Sequence, residues 1–237
     1  QDYYISMGEG AELLADELNI SREDQEEFSF SSHDKAVAAR EAGRFDDEIV
    51  PITLEDGTII DKDSGPRNPD KDKIKSLNPA FRVDGTVTAA TSSPFSIGAS
   101  AMLITSEKFA KDNGLKIRAY IEGRAVAGVN WKMFGSGPIP ATEKALKKTG
   151  LSMDSIDVIE LNEAFAAQAL YCIKKANWDI NKVNLNGGAV ALGHPLGISG
   201  TRIITTLLNV LEQQDKSMGL ATMCVGTGQG ITTIIKR

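Results

Sequence analysis

The sequence predicts an α/β layer architecture with a mixed sheet, and three observations carry that expectation. From about residue 116 onward, strand-like and helix-like segments alternate in the order β-α-β-α-β-α-β-β. The 237 residues are 41% hydrophobic and 24% charged, an ordinary globular composition with length for one large or two small domains. The final two strand candidates, 220–224 and 231–235, flank a turn rich in glycine.

Taken in order, residues 1–83 are polar and mixed. Ser21 followed by Arg22, Glu23 and Asp24 reads as a helix start, with Ser21 as N-cap and acidic residues in the first turn. Ala36, Ala38, Ala39 and Ala42 carry that helix to its stop at Gly43. Residues 49–52 are extended, and 61–73, dense in turn formers and charges of both signs, form a surface loop. Small residues dominate 86–101. Then come a strand at 117–129, a helix at 140–149 closed by Gly150, a strand at 156–161 and a helix at 164–176. A short strand at 183–185, a helix at 201–211 with Ile203, Ile204, Leu207, Leu208 and Leu211 at helical spacing, and the two last strands complete the series. No long internal repeat is present.

Composition limits the partners. A net charge of −6 and a pI of about 5.1 argue against a nucleic-acid-binding protein. No run of 18 apolar residues occurs, so no membrane span is expected. Two distant cysteines, Cys172 and Cys224, make no disulfide framework and favour a reducing compartment. The chain starts at Gln1 with no methionine and no signal-like region, which points to a processed, trimmed or partial protein. No metal site and no bound cofactor are expected.

The chemistry concentrates on scarce residues. There are two histidines and two cysteines. His194 follows Gly187-Gly188 and Gly193 and precedes Pro195 and Gly197, a tight connection able to fix an imidazole as base or oxyanion donor. The competing reading is a satisfied polar histidine. Cys224 stands where a strand meets Gly226, Gly228 and Gly230, whose N–H groups can converge on one spot. Its thiol suits proton exchange, with a pKa expected to fall beside an imidazolium; alternatively it is a small buried hydrophobe. Asn162-Glu163-Ala164-Phe165 joins a strand end to a helix start. Asn162 either caps that helix, with Glu163 favouring its positive end, or belongs to a site at the strand ends. Cys172, within the helix, reads as core. Lys71, Lys73 and Lys75 with Arg67 read as a solvated charged loop, the alternative being a phosphate contact.

Together these segments resemble the thiolase family. The likeness rests on Asn162-Glu163-Ala164-Phe165-Ala166-Ala167-Gln168, on Asn186-Gly187-Gly188-Ala189-Val190-Ala191-Leu192-Gly193-His194-Pro195 and on Cys224-Val225-Gly226-Thr227-Gly228-Gln229-Gly230, with Met7 to Glu12 and Phe134 to Pro140 in support. The resemblance implies a thiolase-like fold, layered α-β-α-β-α with mixed sheets, of which only the second half is complete here. Residues 1–90 would be most of the loop domain, 91–115 the tail of the N-terminal half and 116–237 the C-terminal half.

The implied reaction is CoA-dependent cleavage of a 3-ketoacyl-CoA to acetyl-CoA and a shortened acyl-CoA, reversible and through an acyl-cysteine. The rivals are a short-chain biosynthetic acetoacetyl-CoA enzyme and a truncated, non-catalytic acyl-CoA-binding protein. The resemblance makes His194 the base toward the nucleophilic cysteine, Cys224 the acid/base at the substrate α-carbon, and Asn162 the holder of an oxyanion-hole water shared with His194. The Gly226 N–H would serve a second oxyanion hole. Met7, Arg67, Phe81, Ser93 and Phe165 would line the CoA and acyl pocket, with CoA and acyl-CoA as substrates. A homodimer or homotetramer in the cytoplasm, or in the mitochondrial or peroxisomal matrix of a eukaryote, is implied as well. The family's nucleophilic cysteine would lie ahead of Gln1, and neither Cys172 nor Cys224 fits its motif. Phe95-Ser96-Ile97-Gly98 also lacks the acidic residue usual before that glycine.

Overall fold

A computed structural model describes residues 4–237. Helix α1 (Met7–Leu18) starts at Ser6, whose side chain accepts from the Glu9 N–H, and ends at Asn19 in the left-handed conformation (φ 49°). Helix α1 lies in the stretch 1–83 read from the sequence only as polar and mixed. Helix α2 (Arg22–Glu41) is capped as expected: Ser21 Oγ accepts from Asp24 N at 3.0 Å. Strands β1 (Ile52–Thr53) and β2 (Ile59–Ile60) form a small exposed hairpin, so the extended stretch expected at 49–52 contributes only its last residue. Within the expected loop 61–73, Asp70 caps a single helical turn, α3 (Lys71–Lys75), and Lys71 stands over the Phe30 ring at 4.7 Å. Helix α4 (Glu107–Asp112) closes this first portion.

The alternating portion forms a four-stranded mixed sheet. Strand β3 (Tyr120–Gly128) leads to helix α5 (Pro138–Thr149), which Gly150 ends at φ 72°. Strand β4 (Val158–Leu161) leads to α6 (Ala166–Lys175). The strand expected at 183–185 is reduced to one parallel bridge, Val183 to Ile159. A one-turn helix, α7 (Ala189–Leu192), and a long one, α8 (Ser199–Gln213), precede β5 (Met218–Val225) and β6 (Gln229–Lys236). The strand order is β3-β6-β5-β4, with β4 parallel to β5 and the other pairs antiparallel.

Side-chain alternation sorts the sheet's two faces. Ile159 and Leu161 of β4, Leu220 of β5 and Ile234 of β6 face α5 and α6, packing with Ala145, Ala169, Cys172 and Ile173. Val158, Ala221 and Ile235 point the other way onto Leu207, Leu208 and Leu211 of α8. Covered on both faces, β4 is buried at all four positions. This is the single α-β-α unit of the expected layering. Helices α1 and α2 pack outside it, α1 against α6 and the 131–136 turn, α2 against α6 and α7.

Candidate active site

The C-terminal ends of β4 and β5 carry Asn162 and Cys224, and the turn after α7 carries His194. Leaving β4, the Asn162 N–H bonds Thr222 O of β5 at 3.0 Å, two residues before Cys224. Asn162 does not cap α6: the N-cap position is Phe165, with no side-chain cap bond. Its side chain is instead buried, and among the described residues its Nδ2 has no hydrogen-bond partner. A polar group so placed is costly unless something accepts its proton. Asn162 shares with Glu160, Gly188, Ser199 and Arg202 the lining of a cavity of about 20 Å³, room for about one water molecule.

Glu163 does more than favour a helix end. Its buried carboxylate accepts from Ser32 Oγ and Asn184 Nδ2, each at 2.7 Å, and from Val190 N at 3.1 Å. Burial still holds its pKa above the ordinary carboxylate value. The contact explains Gly188, where a Cβ would fall 2.2 Å from the Glu163 carboxyl carbon. The loop into α7 is thereby pinned to α2 and to the end of β4.

Gly193 then turns the chain at φ 93°, against Ser96, and presents His194. The half-buried imidazole places Nδ1 2.6 Å from Ser199 Oγ. Ser199 Oγ also donates to Pro195 O at 3.0 Å, and with the serine proton there Nδ1 is the donor of the shorter bond. Nε2 keeps its lone pair. Burial lowers the His194 pKa, so the ring is neutral at pH 7 and competent as a base.

Cys224 lies at the end of β5, 6% exposed, beside Phe165, Phe134 and Ala11. The expected fall in its pKa is not met: burial pushes the thiol up to about 12. It is held protonated, the state of a proton donor. Gly226 opens the exposed β5–β6 turn, where Thr227 and Gly228 take positive φ (66° and 91°). Met7 Sδ lies 4.0 Å from where a Gly226 Cβ would be. Phe165 meets Phe81 edge to face at 5.9 Å, and Ser93 N bonds Ala164 O at 3.0 Å. Met7, Phe81, Ser93, Phe165, Cys224 and Gly226 are thus linked through one set of neighbours.

Arg67 belongs to a different group. It is exposed, its Nη1 donates to Gly65 O at 3.2 Å, and its backbone N–H meets Nδ1 of buried His33 at 3.5 Å. Cys172 is core, as expected. Its Sγ donates to Gly135 O at 3.2 Å, and burial raises its pKa strongly. Among the described residues no group of three or more His, Cys, Asp or Glu side chains is placed to hold a metal ion, and no helix is long and apolar enough to cross a membrane.

Sequence reasoning missed Ser199, Glu160, Arg202 and Asp63. Ser199 had a visible cue, since it opens a helix five residues after His194. The others depend on contacts far apart in sequence.

Comparison with known proteins gives a consistent picture. Residues 2–108 match the thiolase N-terminal domain and 115–237 the thiolase C-terminal domain. A 3-ketoacyl-CoA thiolase of Vibrio vulnificus is 53% identical over 240 residues, covering 98% of this chain and 62% of the relative. One from Photorhabdus laumondii is 54% identical over 241 residues, with the same coverage. Among solved structures, the Bacillus anthracis acetyl-CoA acetyltransferase superposes with a TM-score of 0.96 at 43% identity, covering 98% of this chain and 60% of that one. The human mitochondrial 3-ketoacyl-CoA thiolase in complex with CoA gives 0.95 at 40% identity, covering 98% and 59%. The chain therefore spans about 60% of the length of the proteins it matches.

Proposed function

The chain belongs to the thiolase family, and on that premise we propose that the protein carrying it cleaves 3-ketoacyl-CoA with free CoA, giving acetyl-CoA and an acyl-CoA two carbons shorter. What supports this reading is a neutral imidazole whose Nδ1 is held by Ser199 in the turn after α7, together with a protonated Cys224 thiol at the end of β5.

In this reading the acylated thiol comes from outside these 237 residues. His194 Nε2 takes its proton, and the thiolate adds to the 3-keto carbon. When the C2–C3 bond breaks, the electron pair passes to the acetyl-CoA enolate, and Cys224 Sγ–H protonates its α-carbon. The Cys224 thiolate then takes the proton of incoming CoA, whose sulfur attacks the acyl-cysteine. The enzyme thiolate leaves and recovers its proton from His194. Asn162 Nδ2, through a water, and His194 stabilise one thioester oxyanion, and the Gly226 N–H the other. Met7, Phe81, Ser93 and Phe165 line the acyl and pantetheine path, and Arg67 meets the nucleotide end of CoA. Residues 1–90, 91–115 and 116–237 serve as loop domain, tail of the N-terminal half and C-terminal half. The working form is a homodimer or homotetramer in the cytoplasm or an organelle matrix.

The test is thiolysis by the full-length protein with C4 and with C8–C16 3-ketoacyl-CoA. Cleavage across the longer chains supports the degradative reading, which the identity of 53–54% to 3-ketoacyl-CoA thiolases favours. Activity confined to C4 assigns the acetoacetyl-CoA reaction instead. Cys224→Ala lowers turnover by ~10²–10⁴-fold if the thiol is the α-carbon acid/base; near-normal turnover removes that assignment.

A further inference from the structure

Arg202, in the first turn of α8, reaches two segments at once. Its Nη1 donates to Leu192 O at 3.2 Å, two residues ahead of His194. Its Nη2 forms a short ion pair with Asp63, in the loop that four residues later carries Arg67. The same loop touches the His194 turn again at Gly65, where a Cβ would fall 2.2 Å from Ala191 O. Its other side is held on α2, by Arg40 Nη1 to Pro66 O at 3.0 Å and by the Arg67 N–H on His33 Nδ1. The guanidinium is largely buried, with a side-chain exposure of 19%, and faces three carboxyls: Asp63, Glu48 and Glu160. Glu48 is already engaged along α8 by Thr206 and Asn209. Glu160, fully buried in β4, leaves Oε1 without a partner among the described residues.

We propose that Arg202 is a positioning residue that latches the 63–67 loop to the His194 turn, so that the loop's hold on CoA and the placement of the imidazole are coupled. The proposal rests on the thiolase reading for the roles of Arg67 and His194. Its physical basis is the planar fork of arginine. Two N–H groups on one rigid plane serve a carboxylate in one direction and a backbone carbonyl in the other. Lysine keeps the charge but reaches one of these partners and not both. A displacement of the loop when CoA binds or leaves is then felt at Leu192 O, two residues from the base. A simple ion pair between two surface loops would do no such thing.

The experiment uses Asp63→Asn and Arg202→Lys, singly and together, in the full-length protein. Asp63 is partly exposed in a loop, so its amide variant folds. Three readouts are taken: melting temperature, the 15N signals of the His194 ring (assigned with His194→Gln), and kcat and KM for CoA separately. Each single variant is expected to shift the His194 signals, lower kcat on the order of 10-fold and raise the CoA KM, and the double variant to lose no more than the worse single one. Unchanged His194 signals with unchanged kcat and KM, whatever happens to the melting temperature, overturn the latch and leave a stabilising ion pair. Additive losses overturn the coupling. A wild-type protein that does not cleave 3-ketoacyl-CoA defeats the proposed activity alone, because the His194 signals still decide whether Asp63 and Arg202 position the ring.

Discussion

His194 Nδ1 and Ser199 Oγ stand 2.6 Å apart, and the serine hydroxyl donates a hydrogen bond to Pro195 O. This relationship fixes both the tautomer and the direction of the imidazole. A neutral histidine has one donor and one acceptor nitrogen, and a base needs the acceptor turned toward the substrate.

Ser199→Ala removes that anchor and frees the ring to rotate or change tautomer. A hydrogen bond to a group that becomes charged contributes about 1.5–3 kcal/mol, so acylation should slow roughly 10–100-fold. Ser199→Thr keeps the hydroxyl and restores part of the rate. Pre-steady-state acylation in the full-length protein reads the effect, and a wild-type rate in Ser199→Ala assigns the orientation of the ring to something other than this bond.

Glu163 offers a test of stability that is separate from chemistry. Ser32, Asn184 and the Val190 N–H all donate to its carboxylate. Glu163→Ala leaves three buried donors unanswered, at a cost of about 3 kcal/mol or more. Glu163→Gln keeps an acceptor oxygen but turns an NH2 toward one of the donors, and should cost less. Urea unfolding ranks the two; equal stability of Glu163→Ala and wild type contradicts the network.

His33 supplies one acid-sensitive contribution to stability. It is buried, and burial with the nearby Arg67 cation lowers its pKa to about 4, against an ordinary 6.5. Below pH 6.5 the unfolded chain takes a proton that the folded chain refuses. The His33 contribution to stability therefore falls as pH drops from about 6.5 to about 4 and levels off below that, while the buried carboxyls Glu48, Glu160 and Glu163, whose pKa values burial raises, act in the opposite direction. In His33→Gln this contribution is absent, so the melting temperature of the variant should rise relative to that of wild type as pH falls over the same interval. Parallel curves place the acid sensitivity elsewhere.

The sheet was legible because its segments carry their own punctuation. Gly150 ends α5 in the left-handed conformation the sequence suggests, and β5 and β6 flank the turn at 226–228. The strand at 183–185 was not: Val183 reaches β4, but Asn184 turns away at φ 48° and spends its side chain on Leu161 and Glu163. The glycines around His194 were readable as close approaches, though not what approaches them. Gly188 is small because of Glu163, whose role depends on Ser32, 131 residues away. Cys224 shows the limit of charge reasoning from sequence. An imidazolium beside it was expected to lower its pKa, whereas burial among Phe165, Phe134 and Ala11, nearer the alternative reading of a buried hydrophobe, pushes the pKa up.

The 237 residues alone should not perform thiolysis. The reaction requires an acylated thiol, a base for it and a second proton-transfer group. His194 and Cys224 fill the last two roles in the proposed mechanism. Cys172 cannot supply the first, since its Sγ is bound to Gly135 O in the core and its thiol is held protonated. Cys224 is likewise buried, so at pH 8 the folded chain should react with iodoacetamide slowly at both cysteines and quickly once denatured. Residues 95–104 point to the same deficit. Phe95 and Ile97 are fully exposed, Leu103 is 75% and Ile104 65% exposed, in a segment with no strand partner of its own. Apolar side chains presented in this way drive association, so the isolated chain should self-associate as its concentration rises. Light scattering, thiol labelling and acetoacetyl-CoA cleavage with free CoA, measured on one preparation, test all three expectations. A monodisperse monomer that labels fast at one cysteine and turns over substrate would place the nucleophile at that cysteine and overturn the role given to Cys224.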